Sequence, residues 1–242
     1  MPNRLGAGYP ENGAIVPVHQ YIRWTYREFC ERADALARGI MALGVERGDR
    51  VAIWAMNYAE WTLTQFATAK IGAILVNINP AYRVYEFEYA LKQAEVSTLI
   101  VQGRFKNSDY VGMFYEACPE AIDARAGRIS SEKFPFLKNV VFMGDIPYNG
   151  MFTWDEMIEK GAGISPDELR EREASLNFDD AINIQYTSGT TGYPKGVVLT
   201  HHGVMNNGYF IGEGMGFTEK DRLCIPVPYY HCFVWPSRTW RL

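Results

Sequence analysis

Cysteine is scarce in this chain, and the four present, Cys30, Cys118, Cys224 and Cys232, stand at no metal-binding or redox spacing. That pattern fits reduced thiols used for packing and predicts a cytoplasmic setting. No run of apolar residues approaches the roughly 18 needed to cross a bilayer, so no transmembrane helix is expected. The opening stretch Met1-Pro2-Asn3-Arg4-Leu5-Gly6-Ala7-Gly8 has no apolar core of the kind a signal peptide carries. A net charge of −4 gives no electrostatic reason to expect a nucleic-acid partner. Internal repeats and low-complexity linkers are also missing. What remains, 48% hydrophobic and 21% charged over 242 residues, is the composition of one large globular domain or two small ones.

Periodicity organises the first hundred residues. Thr25 and Glu28 have the spacing of a capping box. Phe29, Ala33, Leu36, Ile40 and Leu43 follow at helical spacing, with Gly44 as the stop. A strand is expected over 50–56. Asn57 and Glu60 repeat the cap spacing and predict a helix running to about 71. The short apolar run over 73–78 reads as a buried parallel strand, broken by Asn79-Pro80. A helix over 85–93 then leads into a strand over 96–101. Alternation of this kind predicts an α/β fold, a mainly parallel sheet flanked by helices on both faces.

Residues 103–180 are less regular. A helix is expected over 110–117 and a strand over 140–143. Thr153 and Glu156 form a third cap spacing, and Ser165 to Glu168 opens a short charged helix. The charges over 167–173 read as a solvated face. Further strands are expected over 196–199 and 223–227, with a helix starting near His201, which His201 and His202 would cap or flank.

The most informative segment is Tyr186-Thr187-Ser188-Gly189-Thr190-Thr191-Gly192-Tyr193-Pro194-Lys195-Gly196. Thr187, Ser188, Thr190 and Thr191 bring hydroxyls, Gly189 and Gly192 let the backbone turn tightly, and Lys195 adds a point charge. Successive N–H groups in such a loop form an anion-binding concavity. A polar turn between two strands would use similar residues. The order is not that of an ordinary P-loop, which has Gly directly before Lys, where this chain has Pro194.

The order Thr-Ser-Gly-Thr-Thr-Gly-x-Pro-Lys-Gly closely resembles the phosphate loop of the adenylate-forming enzymes: acyl-CoA synthetases, luciferases and peptide-synthetase adenylation domains. The resemblance extends over roughly 14–233. It takes in Trp24-Thr25-Tyr26-Arg27-Glu28-Phe29, Gly48-Asp49-Arg50-Val51-Ala52-Ile53, and Asn77-Ile78-Asn79-Pro80-Ala81-Tyr82-Arg83, the last of which is especially like fatty-acyl-CoA synthetases. Pro228-Tyr229-Tyr230-His231-Cys232-Phe233 resembles a further motif, departing from it at Tyr229, where an apolar residue is usual.

The resemblance implies a two-step reaction. A carboxylate attacks the α-phosphorus of ATP, giving acyl-adenylate and pyrophosphate, and the thiol of coenzyme A then displaces AMP. It implies that Thr187, Ser188, Gly189, Thr190, Thr191, Gly192 and Lys195 hold the β- and γ-phosphates, and that magnesium bridges phosphate oxygens. His231 would lie beside the carboxylate and α-phosphate, with Tyr230 against the acyl chain or in the core. No metal ligand is assigned. A fatty acid or similar carboxylate, ATP and coenzyme A are the implied partners. An aryl-CoA ligase, a peptide-synthetase module or a non-catalytic phosphate-binding remnant stay as alternatives. Residues 1–233 are expected to form part of an N-terminal AMP-binding domain. The stretch 234–242 reads as an atypical, truncated or frameshifted tail, with the family's mobile C-terminal domain absent and apolar faces left exposed.

Overall fold

The computed structural model describes residues 14–15, 22–187, 194–218, 221, 224 and 227–231. The 232–242 stretch, with Cys232 and the tail, lies outside them. A short ribbon, β1 (Ala14–Ile15) with β2 (Trp24–Thr25), precedes α1 (Tyr26–Ala42). Then come β3 (Arg50–Trp54), α2 (Ala59–Ile71), β4 (Ile74–Asn77), α3 (Val84–Gln93) and β5 (Thr98–Val101). A small hairpin, β6 (Arg104–Phe105) with β7 (Ser108–Asp109), leads into α4 (Tyr110–Ala117). The chain continues through β8 (Asn139–Phe142), β9 (Phe152–Thr153), α5 (Trp154–Lys160) and α6 (Pro166–Ala174) to β10 (Ala181–Thr187), β11 (Lys195–Thr200) and α7 (His201–Met215).

Seven strands form the main sheet in the order β11-β10-β4-β3-β5-β8-β9. Every neighbouring pair is parallel except β10 with β11. The central strands are buried on both sides. Val51 and Ile53 of β3 face a cluster with Leu36, Ile40, Trp61 and Ile71 from α1 and α2. Ala52 and Trp54 of the same strand face Phe87, Leu91 and Phe114 from α3 and α4. This two-sided burial is why the strands read as continuous apolar runs rather than alternating ones. Each fully buried large side chain contributes about 1.5–3 kcal/mol.

Local caps formed at three of the four positions where the spacing predicted them. Thr25, Thr153 and Ser165 each accept from the backbone of Glu28, Glu156 and Glu168, whose carboxylates return the bond. Two expectations need correction. Asn57 does not cap α2: the N-cap is Tyr58, which makes no side-chain cap bond. The charged helix α6 is not merely solvated. Arg172 pairs with Glu46 at 2.6 Å, and Glu173 pairs with Lys70, which also meets Asp34 at 3.0 Å, so α6 is tied to α1 and α2. Burial alone would lower the Lys70 pKa, but the Glu173 and Asp34 carboxylates outweigh it and raise it. Of the strand expected over 223–227, Cys224 and Val227 are described and belong to no strand.

Among the described residues no helix is long and apolar enough to cross a membrane. Val197 and Val198 on β11, and Met205, Tyr209, Phe210 and Met215 on α7, are exposed.

Candidate functional site at the carboxyl edge of the sheet

The chain leaves β3 towards β4 on one side, then crosses back over β3 to reach β5 on the other. Right-handed crossovers put the connecting helices of such opposed steps on opposite faces, and α2 and α3 do pack in the two different core clusters. A crevice therefore opens beyond the carboxyl ends of the strands where the direction reverses, the usual ligand position in open α/β sheets. A cleft of about 430 Å³ occupies this place, lined by residues that follow β3 (Asn57), β4 (Asn79, Arg83) and β5 (Lys106, Tyr110), and by Tyr230.

Its floor is fixed by buried aromatics. The Trp54 ring stacks on Phe87 at 4.0 Å and meets Tyr110 edge-on at 4.9 Å. Trp54 Nε1 donates to the Asn79 carbonyl at 3.2 Å, and the Tyr110 hydroxyl donates to the Pro80 carbonyl at 3.0 Å. Burial raises the Tyr110 pKa, against the opposing pull of Ser108 and Arg83. Two basic side chains stand on one flank. Arg83 donates to Ser108 Oγ at 3.2 Å, and Lys106 holds a left-handed backbone with φ of 52° in the β6–β7 turn.

The two ends of the hydroxyl-rich segment, Thr187 and Lys195, sit on the neighbouring hairpin. Thr187 and Lys195 are register partners at the open end of β10–β11. Ser188, Gly189, Thr190, Thr191 and Gly192 lie outside the described residues. The hairpin is pinned from below. Asn183 Nδ2 donates to the Leu75 carbonyl at 3.0 Å, and the Tyr186 hydroxyl donates to the Ala90 carbonyl of α3 at 3.0 Å. Burial holds the Tyr186 hydroxyl well above its ordinary pKa. Lys195 is exposed.

His231 ends a turn in which its N–H donates to the Pro228 carbonyl at 3.1 Å. That turn is gripped by Asn57: Oδ1 accepts from Tyr229 N–H at 2.8 Å, and Nδ2 donates to the Val227 carbonyl at 3.0 Å. Tyr229 and Tyr230 rest against the core cluster that contains Trp61. Register places Gln185 level with Asn77, and Asn77 level with Ile53. The Thr187 end of β10 and the Asn57 loop after β3 thus share one edge, with β4 between them, about 10 Å apart at ordinary strand spacing. The structure brings Thr187 and Lys195 together and sets the His231 turn at the same edge.

His201 and His202 begin α7, as expected, where Thr200 Oγ1 caps by accepting from Gly203 N–H at 3.0 Å. Burial lowers the His201 pKa, partly countered by Asp180. Sequence reasoning missed Asn57, whose spacing pointed to a cap, and the Arg83–Lys106 flank, of which only Arg83 lies near the Asn79-Pro80 break. Among the described residues no group of three or more His, Cys, Asp or Glu is placed to hold a metal ion, and magnesium is assigned no ligand.

Comparison with known proteins agrees with this architecture. The family profile described as AMP-binding enzyme matches residues 4–240. YngI of Bacillus subtilis, an acyl-CoA synthetase by name, is 44% identical over 225 residues, covering 93% of this chain and 41% of that protein. The mitochondrial medium-chain acyl-CoA ligase ACSF2 of Danio rerio is 41% identical over 227 residues, covering 93% of this chain and 37% of that protein. The chain thus spans about two fifths of the length of these relatives. ATP-bound MatB from Rhodopseudomonas palustris shares the fold, with a TM-score of 0.70 at 23% identity over 94% of this chain and 40% of that one.

Proposed function

The chain belongs to the AMP-binding enzyme family, and from that premise we propose that it supplies the phosphate-holding part of an acyl-CoA ligase that activates fatty acids in the cytoplasm. Residues 1–233 then form part of the N-terminal adenylation domain. The observation that carries this reading is the shared edge: the Thr187–Lys195 hairpin end and the His231 turn stand on one side of a parallel sheet, two strand spacings apart.

In the first step a carboxylate oxygen of the fatty acid bonds to the α-phosphorus of ATP and pyrophosphate leaves. Little covalent chemistry falls to the protein there, and positioning with charge stabilisation does the work. Thr187, Ser188, Gly189, Thr190, Thr191, Gly192 and Lys195 hold the departing pyrophosphate. His231 sits beside the carboxylate. Magnesium, a hard cation that favours phosphate oxygens, would arrive with ATP. In the second step the coenzyme A sulfur attacks the acyl carbonyl and AMP leaves. Arg83 and Lys106 suit the remaining polyanion of the reaction, the phosphates of coenzyme A.

The test is ATP–pyrophosphate exchange by a chimaera that joins residues 1–233 of this chain to the remainder of YngI. Carboxylate-dependent exchange with C6 to C16 fatty acids, abolished or strongly reduced by Lys195→Ala, is the expected result. Exchange with aryl carboxylates alone would replace the fatty-acid reading, and a folded chimaera inert towards every carboxylate would overturn it. The 242-residue polypeptide by itself is expected to bind pyrophosphate weakly, with Kd around a millimolar or about −4 kcal/mol, and not to turn over. Multiple turnovers by the polypeptide alone, seen by mass spectrometry, would refute that.

A further inference from the structure

We infer that Asn57 is a positioning residue for His231, a role that rests on the reading of His231 given above. Asn57 lies in the loop between β3 and α2, four residues short of the buried Trp61. Its spacing to Glu60 is that of a helix cap, yet its carboxamide is committed elsewhere, to a backbone segment some 170 residues away. The oxygen takes the Tyr229 N–H at 2.8 Å and the nitrogen gives to the Val227 carbonyl at 3.0 Å. The two bonds close a ring with the Val227–Tyr229 backbone, as another strand would.

Only a short primary amide serves both groups. Aspartate offers the acceptor without the donor, and alanine offers neither. The grip falls inside the turn whose last residue is His231, closed by the His231 N–H bond to the Pro228 carbonyl. Asn57 therefore couples the height of the imidazole to β3, the central strand of the sheet, whose Trp54 also holds the Asn79 carbonyl beside the cleft. Tyr229 and Tyr230 support the turn by packing on the core, but packing alone fixes no register along the turn. The carboxamide does.

Two measurements test this. In the 242-residue chain, amide hydrogen exchange at Tyr229 should quicken roughly tenfold in Asn57→Ala, the loss of one hydrogen bond, and stay slow in Asn57→Asp, which keeps the acceptor. Amides of β3 and β4 should be unchanged in both. Equal Tyr229 exchange in wild type and Asn57→Ala overturns the inference, as does faster exchange throughout β3 and β4. In the chimaera, Asn57→Ala should raise the carboxylate KM by about the same factor as His231→Ala, leave the ATP KM within about twofold, and add nothing to the His231→Ala defect in the double variant. A His231→Ala defect without an Asn57→Ala defect overturns this inference alone. A His231→Ala variant with unchanged carboxylate kinetics overturns the role of His231 and this inference with it.

Discussion

Gly39 of α1 and Gly161, just past α5, meet backbone to backbone: a Cβ at Gly161 would stand 2.6 Å from the Gly39 nitrogen, and one at Gly39 2.7 Å from the Met157 carbonyl oxygen. Neither neighbour is a flexible side-chain end, so the helices would have to separate. Gly39→Ala is expected to destabilise the fold by about 1–3 kcal/mol through overpacking, even though alanine favours helix by about 1 kcal/mol. Among the described residues, nothing lies within 4 Å of the would-be Cβ of Gly214 in α7. There Gly214→Ala should stabilise by about 0.4–1 kcal/mol. Denaturant melts of both variants check the pair, and a neutral Gly39→Ala would show that the helices yield freely.

Trp54 combines complete burial, a stack on Phe87 and a bond to the Asn79 carbonyl. Trp54→Ala should cost about 3–5 kcal/mol. Trp54→Phe should recover much of the packing but lose the indole donor, leaving the Asn79 carbonyl with the Tyr82 N–H alone. The contrast is read from chemical melts followed by circular dichroism.

Lys195→Ala in the chimaera should slow ATP–pyrophosphate exchange about 10- to 150-fold, the equivalent of one charge-assisted contact of roughly 1.5–3 kcal/mol. Lys195 is exposed at the end of β11, so its removal should leave the melting temperature unchanged. A loss of exchange accompanied by unfolding would assign Lys195 to structure instead.

Cysteine chemistry separates by burial. The Cys118 thiol is fully buried, and burial pushes its pKa up to about 11, whereas Cys224 is exposed. At pH about 9.5 an alkylating agent should modify Cys224 within minutes and Cys118 only after denaturation, as read by peptide mass spectrometry. The sign for stability follows. The folded thiol keeps its proton while the unfolded one ionises, so Cys118 is neutral in effect below the ordinary thiol value and destabilises as pH rises from about 9 towards about 11. Tyr82, Tyr110 and Tyr186 are shifted upward by the same burial, and they should steepen the alkaline loss further. A melting temperature flat from pH 8 to 11 would contradict this.

The parts of the fold legible in the sequence are those decided over a few residues. Thr25, Thr153 and Ser165 each find a Glu three positions on, and the bond closes within one turn. The strands around Val51, Leu75 and Leu99 are legible because burial on both faces leaves an unbroken apolar run. Pairings at long separation were not legible. Nothing local says that β5 lies beside β3 rather than β4, or that Arg172 will reach Glu46. Asn57 shows the limit most clearly, since one residue type suits both a helix cap and a distant backbone clamp, and only the folded chain decides. At the candidate site, residue order singled out Thr187, Lys195 and His231 for proposal, while Arg83 and Lys106 became visible only when the turns after β4 and β5 converged.

The β10–β11 hairpin joins the rest of the sheet along one seam, the three register pairs from Asn183–Leu75 to Gln185–Asn77. The hairpin itself is local and closes on a microsecond timescale, whereas docking on β4 waits on the ordering of about a hundred intervening residues. With α7 resting on β11, the hairpin is expected to open at lower free energy than β3, β4, β5 and β8, as hydrogen exchange would show. On the reading proposed above, nucleotide held by the Thr187–Lys195 end of the hairpin would stabilise the closed form by mass action, about 2.7 kcal/mol at a hundredfold excess over Kd. Occupancy of such a site would then be read as slower local opening of β10, β11 and α7, with the central strands unaffected.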